Sequence, residues 1–407
     1  MPTTSRLLLP AIGAALLAAP FSNAVAQGSC GGTRAGTPQC NTTPGKAPFE
    51  PTGWKTVALD NFTVHAVDYK KEAAYYMALM NWKLRSDDGK QAVLDFGPNG
   101  TVVIVGGYTP PPPRVLTPAE SLAAATAQAA RAAGRGAGGG GAGGAGGAAG
   151  AAGAGGAAGA GRGAGGGGRA GGGGGGGRGG PAQQTWDSFS WQIAPWNAKK
   201  VEAELTKRNL HPVAVTDGPK GCEGFRIKDP DGFDLVLTNG CYAKDRKNAP
   251  KPVASWTTPA PFEATNWKTV WLDHISFQAG DYKGEVAFYE ALIGWKPTGD
   301  EGSQNEVWMC DDCGNALVRG GNSMSPTYDP ATKRPANIDH VSFGISPFDP
   351  HTVADELDKR SQTKSADTGG KGDIFADSTN YKSYHTRTPL GFNLQISNAT
   401  KANRTVR

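Results

Sequence analysis

Trp54-Lys55-Thr56-Val57 recurs letter for letter as Trp267-Lys268-Thr269-Val270, and the offset of 213 holds through the adjoining stretch. Leu59-Asp60-Asn61 lines up with Leu272-Asp273-His274, and Asp68-Tyr69-Lys70 with Asp281-Tyr282-Lys283. Met77-Ala78-Leu79 lines up with Glu290-Ala291-Leu292, and Trp82-Lys83 with Trp295-Lys296. A repeat of this kind means that one supersecondary plan is used twice. It constrains the fold more than composition does, because whatever the first copy builds the second must build as well.

A second echo lies inside the later copy. Leu272-Asp273-His274-Ile275-Ser276-Phe277 is followed 66 residues on by Ile338-Asp339-His340-Val341-Ser342-Phe343. Read as strands, both put their apolar residues on one face and a histidine with a serine on the other, since side chains alternate along a strand. Glu285 to Ile293 carries Val286, Phe288, Tyr289, Leu292 and Ile293 near the spacing of a helix that buries one stripe, and Gly294 stops it. Short strands follow at 295–298, 306–309 and 316–319. The second half repeats the order, with a strand at 338–344, a helix at about 351–360 and strands near 373–375, 382–387 and 392–397. Each unit is therefore two strand-helix-strand-strand-strand (βαβββ) modules, an α+β fold of curled mixed sheets. The first unit follows suit at 54–107 and 185–240, with a helix at 198–209 and a hairpin turning at Asp229-Pro230-Asp231-Gly232.

Not all 407 residues can join such units. Residues 115–183 are dominated by Gly and Ala and hold too little apolar surface to offset the entropy of ordering them, so a disordered insertion is expected between the modules of unit one. Residues 1–26 carry Arg6, a short Ala/Leu-rich core and Ala24-Val25-Ala26, the pattern of a secretory signal cleaved near Gln27. That implies an exported protein, periplasmic or extracellular, with no membrane anchor after cleavage. The partition becomes 27–53 leader, 54–242 unit one, 243–266 linker, 267–397 unit two and 398–407 tail. The formal charge of +5 falls near zero once Arg6 and the insertion's Arg131, Arg135, Arg162, Arg169 and Arg178 are set aside, so no nucleic-acid partner is implied. In an exported chain the six cysteines suggest local pairs: Cys222 with Cys241 across the hairpin, Cys310 with Cys313 across a two-residue turn, and Cys30 with Cys40.

The tandem modules, the run Phe288-Tyr289-Glu290-Ala291-Leu292-Ile293-Gly294-Trp295, the Asp229–Gly232 turn and the Asp-His-hydrophobic-Ser-Phe strands resemble the vicinal oxygen chelate superfamily. That group includes glyoxalase I, bleomycin and fosfomycin resistance proteins, methylmalonyl-CoA epimerase and extradiol dioxygenases. The likeness covers 54–110, 185–242 and 267–397, and it is specific for fold rather than reaction. It implies a divalent metal ion in a concave cleft, with ligands at His274, His340 and Gln395. Members usually have Glu at the last of these positions, and the fourth position falls on Val318, which cannot ligate. Two neutral imidazoles and an oxygen donor leave open positions where adjacent substrate oxygens bind and are polarised. The equivalents in unit one are Asn61, Ser188 and Val236, so no metal is expected there.

His385 is a candidate acid or base beside this site, Arg387 a candidate clamp for an anionic substrate, and Tyr384 a further substrate contact. Two readings follow. In one, the protein is a metal-dependent enzyme acting on a small molecule with neighbouring oxygens; export ranks lyase or isomerase chemistry above Fe(II)-dependent oxygenation. In the other, it is a metal-free protein that binds a small ligand, as bleomycin resistance proteins do, and the histidines are hydrogen-bonded structural residues. Each unit has both modules needed for its own cleft, so a monomer is expected.

Overall fold

A computed structural model describes residues 43–110, 184–246 and 256–404, apart from 327, 330, 332–335, 370, 371, 378 and 379. The expected signal sequence, the first part of the leader, the Gly/Ala-rich insertion, the expected Cys30–Cys40 pair, and the middle of the linker lie outside the described residues.

Unit one runs β1 (Lys55–Ala66), α1 (Tyr69–Met80), β2 (Lys83–Asp87), β3 (Gln91–Asp95), β4 (Thr101–Val105), then β5 (Gln184–Ala194), α2 (Ala198–Lys207), β6 (Val213–Ala214), β7 (Gly224–Lys228) and β8 (Asp234–Thr238). Unit two repeats the order as β9 (Lys268–Ala279), α3 (Tyr282–Ile293), β10 (Lys296–Asp300), β11 (Gln304–Cys310), β12 (Gly314–Gly320), β13 (Asn337–Ser346), α4 (Pro350–Lys359), β14 (Ser365–Asp367), β15 (Ser383–Arg387) and β16 (Asn393–Ser397). A last helical turn, α5, spans Lys401–Arg404. Each unit is one eight-stranded mixed sheet, ordered β2-β3-β4-β1-β5-β8-β7-β6 and β10-β11-β12-β9-β13-β16-β15-β14. The opening strands of paired modules, β1 with β5 and β9 with β13, lie antiparallel at the centre, and each is flanked by its own module's last strand in parallel. The α+β class and the βαβββ modules are as the repeat implies.

Local chemistry explains the helix ends. The Asp68 carboxylate accepts the Lys71 N–H at the start of α1, satisfying a backbone donor that has no partner within the helix. At the end of α3, Gly294 sits at φ 70°, a left-handed conformation that glycine adopts without a Cβ penalty. Its counterpart Asn81 takes the same conformation at φ 58° and spends its side-chain amide on the carbonyls of Thr265 and Trp267.

The two units grip each other through these helices. The Tyr289 hydroxyl donates to Asp229 at 3.1 Å, and Glu285 accepts the Asp231 N–H at 2.8 Å, so α3 of unit two seats on the hairpin turn of unit one. Reciprocally, on α1 the Tyr75 hydroxyl donates to the Arg387 carbonyl, and Glu72 is hydrogen-bonded by Thr388 and the Leu390 backbone. Tyr76 stacks on Trp82 and Tyr289 on Trp295, each at 4.4 Å between centroids. One continuous apolar core results.

Three expectations meet the structure here. Cys222–Cys241 and Cys310–Cys313 are disulfides. The strand expected near 373–375 is instead β14 at Ser365–Asp367; around Ile374 the chain turns, with the Asp373 carboxylate accepting the Phe375 N–H. At the ends of the 243–266 linker, the Arg246 guanidinium donates to the Leu59 carbonyl at 2.7 Å and the Thr265 hydroxyl to the Leu79 carbonyl at 2.8 Å. No helix among the described residues is long and apolar enough to cross a membrane.

Candidate metal and ligand site

Each of the four central strands leaves an aspartate out of register, Asp60 in β1, Asp187 in β5, Asp273 in β9 and Asp339 in β13, and β1 and β9 each leave a valine out as well, Val57 and Val270. A bulge breaks the alternation of the strand, so the extra side chain can reach its neighbour's. In unit two the aspartate's neighbour is a histidine both times. Asp273 Oδ2 lies 3.0 Å from Nδ1 of His274, and Asp339 Oδ2 lies 2.7 Å from Nδ1 of His340.

The two rings converge. Cross-strand register pairs His340 with Ser276 and His274 with Ser342, and the two Nε2 atoms stand 2.9 Å apart with the rings near perpendicular. Both histidines are buried, at 3 % and 4 % exposure, so neither is a surface residue. With a carboxylate at each Nδ1, that nitrogen carries the ring proton and each Nε2 presents a lone pair. Two lone pairs do not face each other at this distance without a cation or a proton between them. Burial, helped by the neighbouring His274 and His385 and opposed by Asp339, pushes the His340 imidazolium down to about 3 and keeps the ring neutral.

The residues fit a metal ion in two respects. The 2.9 Å gap is what two imidazole nitrogens show when each is about 2.1 Å from one ion and they subtend roughly a right angle. Gln395, one strand further along the same rung, pairs with Ser342. Its amide nitrogen is taken by Ser383 Oγ at 2.7 Å and Asp367 Oδ2 at 3.4 Å, whereas its Oε1 is buried with no hydrogen-bond partner. No cluster of three or more His, Cys, Asp or Glu side chains among the described residues is placed to hold a metal.

Asp273 is held from several sides, by Tyr381 Oη at 2.8 Å, Arg404 Nε at 2.7 Å and Ser342 Oγ at 3.0 Å. Burial alone would raise its pKa, but His274, Arg404 and Tyr381 outweigh that and hold the carboxyl well below the usual range.

His385 joins the cluster. Its ring lies 4.8 Å from that of His340, and its nitrogens face Asn393 Oδ1 at 3.0 Å and Asp367 Oδ2 at 3.3 Å. The His385 hydrogen bond is the largest of the effects that lower Asp367, to about 2. Tyr384 and Arg387 are not brought in. Tyr384 is on the opposite face of β15, buried, with its hydroxyl on the Pro350 carbonyl. Arg387 is exposed at the end of the strand and donates to the Gly391 carbonyl across the turn.

In unit one the equivalent rungs hold Asn61 with Ser190, Thr63 with Ser188, and Ser190 with Val236. Asp60, which corresponds to Asp273, is occupied by Thr238 Oγ1 and the backbone N–H groups of Cys241, Tyr242 and Ala243. The fourth position of unit two needs a one-residue correction: Gln395 faces Ser342, and the matching partner of Ser276 on β12 is Leu317, not Val318, which is buried in the core. Neither side chain can ligate. Asp273, Asp339, Asp367, Tyr381 and Arg404 were not singled out from sequence. The one available signal was the Asp-His doublet, present in both copies, whose meaning depends on the bulge.

No protein-family model matches the sequence, and no curated protein does either. Among solved structures, the chain superposes on the Mn(II)-bound glyoxalase from Novosphingobium aromaticivorans with a TM-score of 0.49 and 12 % identity, over 84 % of this chain and 82 % of that one. It superposes on homoprotocatechuate 2,3-dioxygenase from Arthrobacter globiformis with a TM-score of 0.45 and 12 % identity, over 88 % and 82 %. For the Brevibacterium fuscum homoprotocatechuate 2,3-dioxygenase the values are 0.46 and 13 %, over 89 % and 84 %. By its own strand order each unit is two βαβββ modules joined edge to edge, the architecture that the sequence resemblance implies.

Proposed function

We propose that unit two binds one divalent metal ion through His274, His340 and the Gln395 amide oxygen, and uses it to hold a small molecule by two adjacent oxygens. The observation that carries this reading is the 2.9 Å approach of two Nε2 lone pairs, each backed by a carboxylate on Nδ1. When bound, the ion would supply Lewis acidity toward the substrate oxygens. The chain's own part is to aim both imidazoles through the carboxylates on their Nδ1 atoms, and to keep the site out of water. His385, paired with Asp367 and next to His340, is the group positioned to take up or return a proton. We assign lyase or isomerase chemistry ahead of oxygenation, on the ground that residues 1–26 mark the chain for export, where ferrous iron is hard to keep reduced. The two disulfides agree with an oxidising compartment.

A second reading keeps the pocket without the ion: one proton shared between the two Nε2 atoms satisfies the same distance. The protein would then bind a small ligand without transforming it. Metal analysis of mature protein purified without chelator separates the two. One equivalent of metal, lost in the His274→Ala, His340→Ala double variant, supports the first reading. Persistent absence of metal after reconstitution with Mn(II) or Zn(II) rules it out.

A further inference from the structure

The turn after the last strand does different work in the two units. In unit one Thr238 ends β8, and the chain folds back so that the N–H groups of Cys241, Tyr242 and Ala243 fill the Asp60 carboxylate. Arg246, a little further on, reaches the same bulge, but its guanidinium goes to the Leu59 and Asp60 carbonyls and not to the carboxylate. Unit two begins alike. Ser397 ends β16, its hydroxyl faces Asp273 Oδ2 at 3.4 Å, and the Ala399 N–H donates to Ser397 as the Gly240 N–H donates to Thr238. From there the turn departs. Among the described residues the partners of the Asp273 carboxylate are all side chains, and Oδ1 is held by Arg404 Nε.

Arg404 is itself fixed. Its Nη2 donates to Glu306 Oε1 at 3.0 Å, the same oxygen takes the amide of Asn315, the register partner of His274, and the guanidinium lies over the Tyr381 ring at 5.1 Å. A carboxylate pinned at one oxygen cannot swivel, so the charge-assisted bond to Oδ1 sets the direction from which Oδ2 meets His274 Nδ1.

We propose that Arg404 is a positioning residue for the metal site: by holding Asp273 Oδ1 it fixes the His274 ring with Nε2 toward the ion. This rests on the metal reading given above. Charge and geometry act with opposite signs here. Removing a cation near the site would by itself favour Mn(II), whereas releasing Asp273 lets the imidazole turn and weakens the site. Asp273 is wholly buried, and a buried charge that loses its partner moves to find another, so the geometric effect is expected to win.

The test measures Mn(II) affinity by calorimetry on the full mature chain, and the imidazole N–H proton resonances of His274 and His340 by NMR on the metal-free chain. Arg404→Met should weaken Mn(II) roughly 10–100-fold and shift the His274 Nδ1–H resonance more than that of His340. Arg404→Lys, which keeps a charged donor for Oδ1, should fall between it and the wild type. Arg246→Met, the counterpart in unit one, should lower the urea midpoint and leave both other readouts at their wild-type values. Mn(II) affinity in Arg404→Met equal to or tighter than in the wild type overturns the proposal, as does an equal loss in Arg246→Met, which would make the effect one of general stability. If the wild type binds no Mn(II) but the His274 resonance moves in Arg404→Met, the metal reading falls and the positioning of His274 by Arg404 stands; an unmoved resonance overturns it.

Discussion

The Trp295 indole of unit two donates its N–H to Thr56 of unit one at 2.9 Å, and at the equivalent positions Trp82 of unit one donates to Thr269 of unit two, also at 2.9 Å. Each unit thus closes the other's helix end. Replacing Thr56 or Thr269 by valine keeps the shape but leaves a buried indole donor unmade, which costs about 1–3 kcal/mol. Each variant should shift the urea midpoint by a comparable amount without altering metal content. A change at one site and none at the other would contradict the reciprocal packing.

Asp339 orients His340 and has fewer other partners than Asp273, so it is the cleaner probe of the carboxylates behind the imidazoles. Asp339→Asn should leave the fold intact by circular dichroism and weaken Mn(II) binding roughly 10–100-fold, the usual cost of losing a group that orients a ligating imidazole. Unchanged affinity would mean that His340 is not a ligand.

Glu72 is buried where α1 meets the β15–β16 turn, and burial, only partly offset by bonds from Thr388 and Leu390, raises its pKa from 4.5 to about 7. A carboxyl raised on folding binds its proton more tightly in the native state. Its contribution is therefore fully present below about pH 4.5 and is lost as pH rises through 7. The loss is on the order of 3 kcal/mol for a shift of this size. Denaturation of Glu72→Gln between pH 4.5 and 7.5 should lack this decline, whereas the wild type shows it. Parallel curves for the two proteins would refute the assignment.

The repeat revealed the fold because it is a property of whole modules: the 213-residue offset aligns Trp82 with Trp295 and Asn81 with Gly294, and the structure gives each pair one job. The histidine pair was legible for the same reason, since sibling strands related by a pseudo-twofold place equivalent residues opposite each other. The carboxylates behind the histidines were not, because alternation along an ideal strand puts Asp273 on the face away from His274, and only a bulge undoes that. Ile374 and Phe375 looked like a strand by letter, but the Asp373 carboxylate turns the chain there. Arg387 and Arg319 look alike in sequence; register alone puts one at an exposed strand end and the other beside Gln278.

The most direct measurement is a Mn(II) titration of the mature protein, prepared free of chelator, with His274→Ala, His340→Ala protein alongside. The account predicts one tight site per chain in the wild type and none in the double variant. Saturable binding of equal strength in both proteins, or in neither, contradicts it.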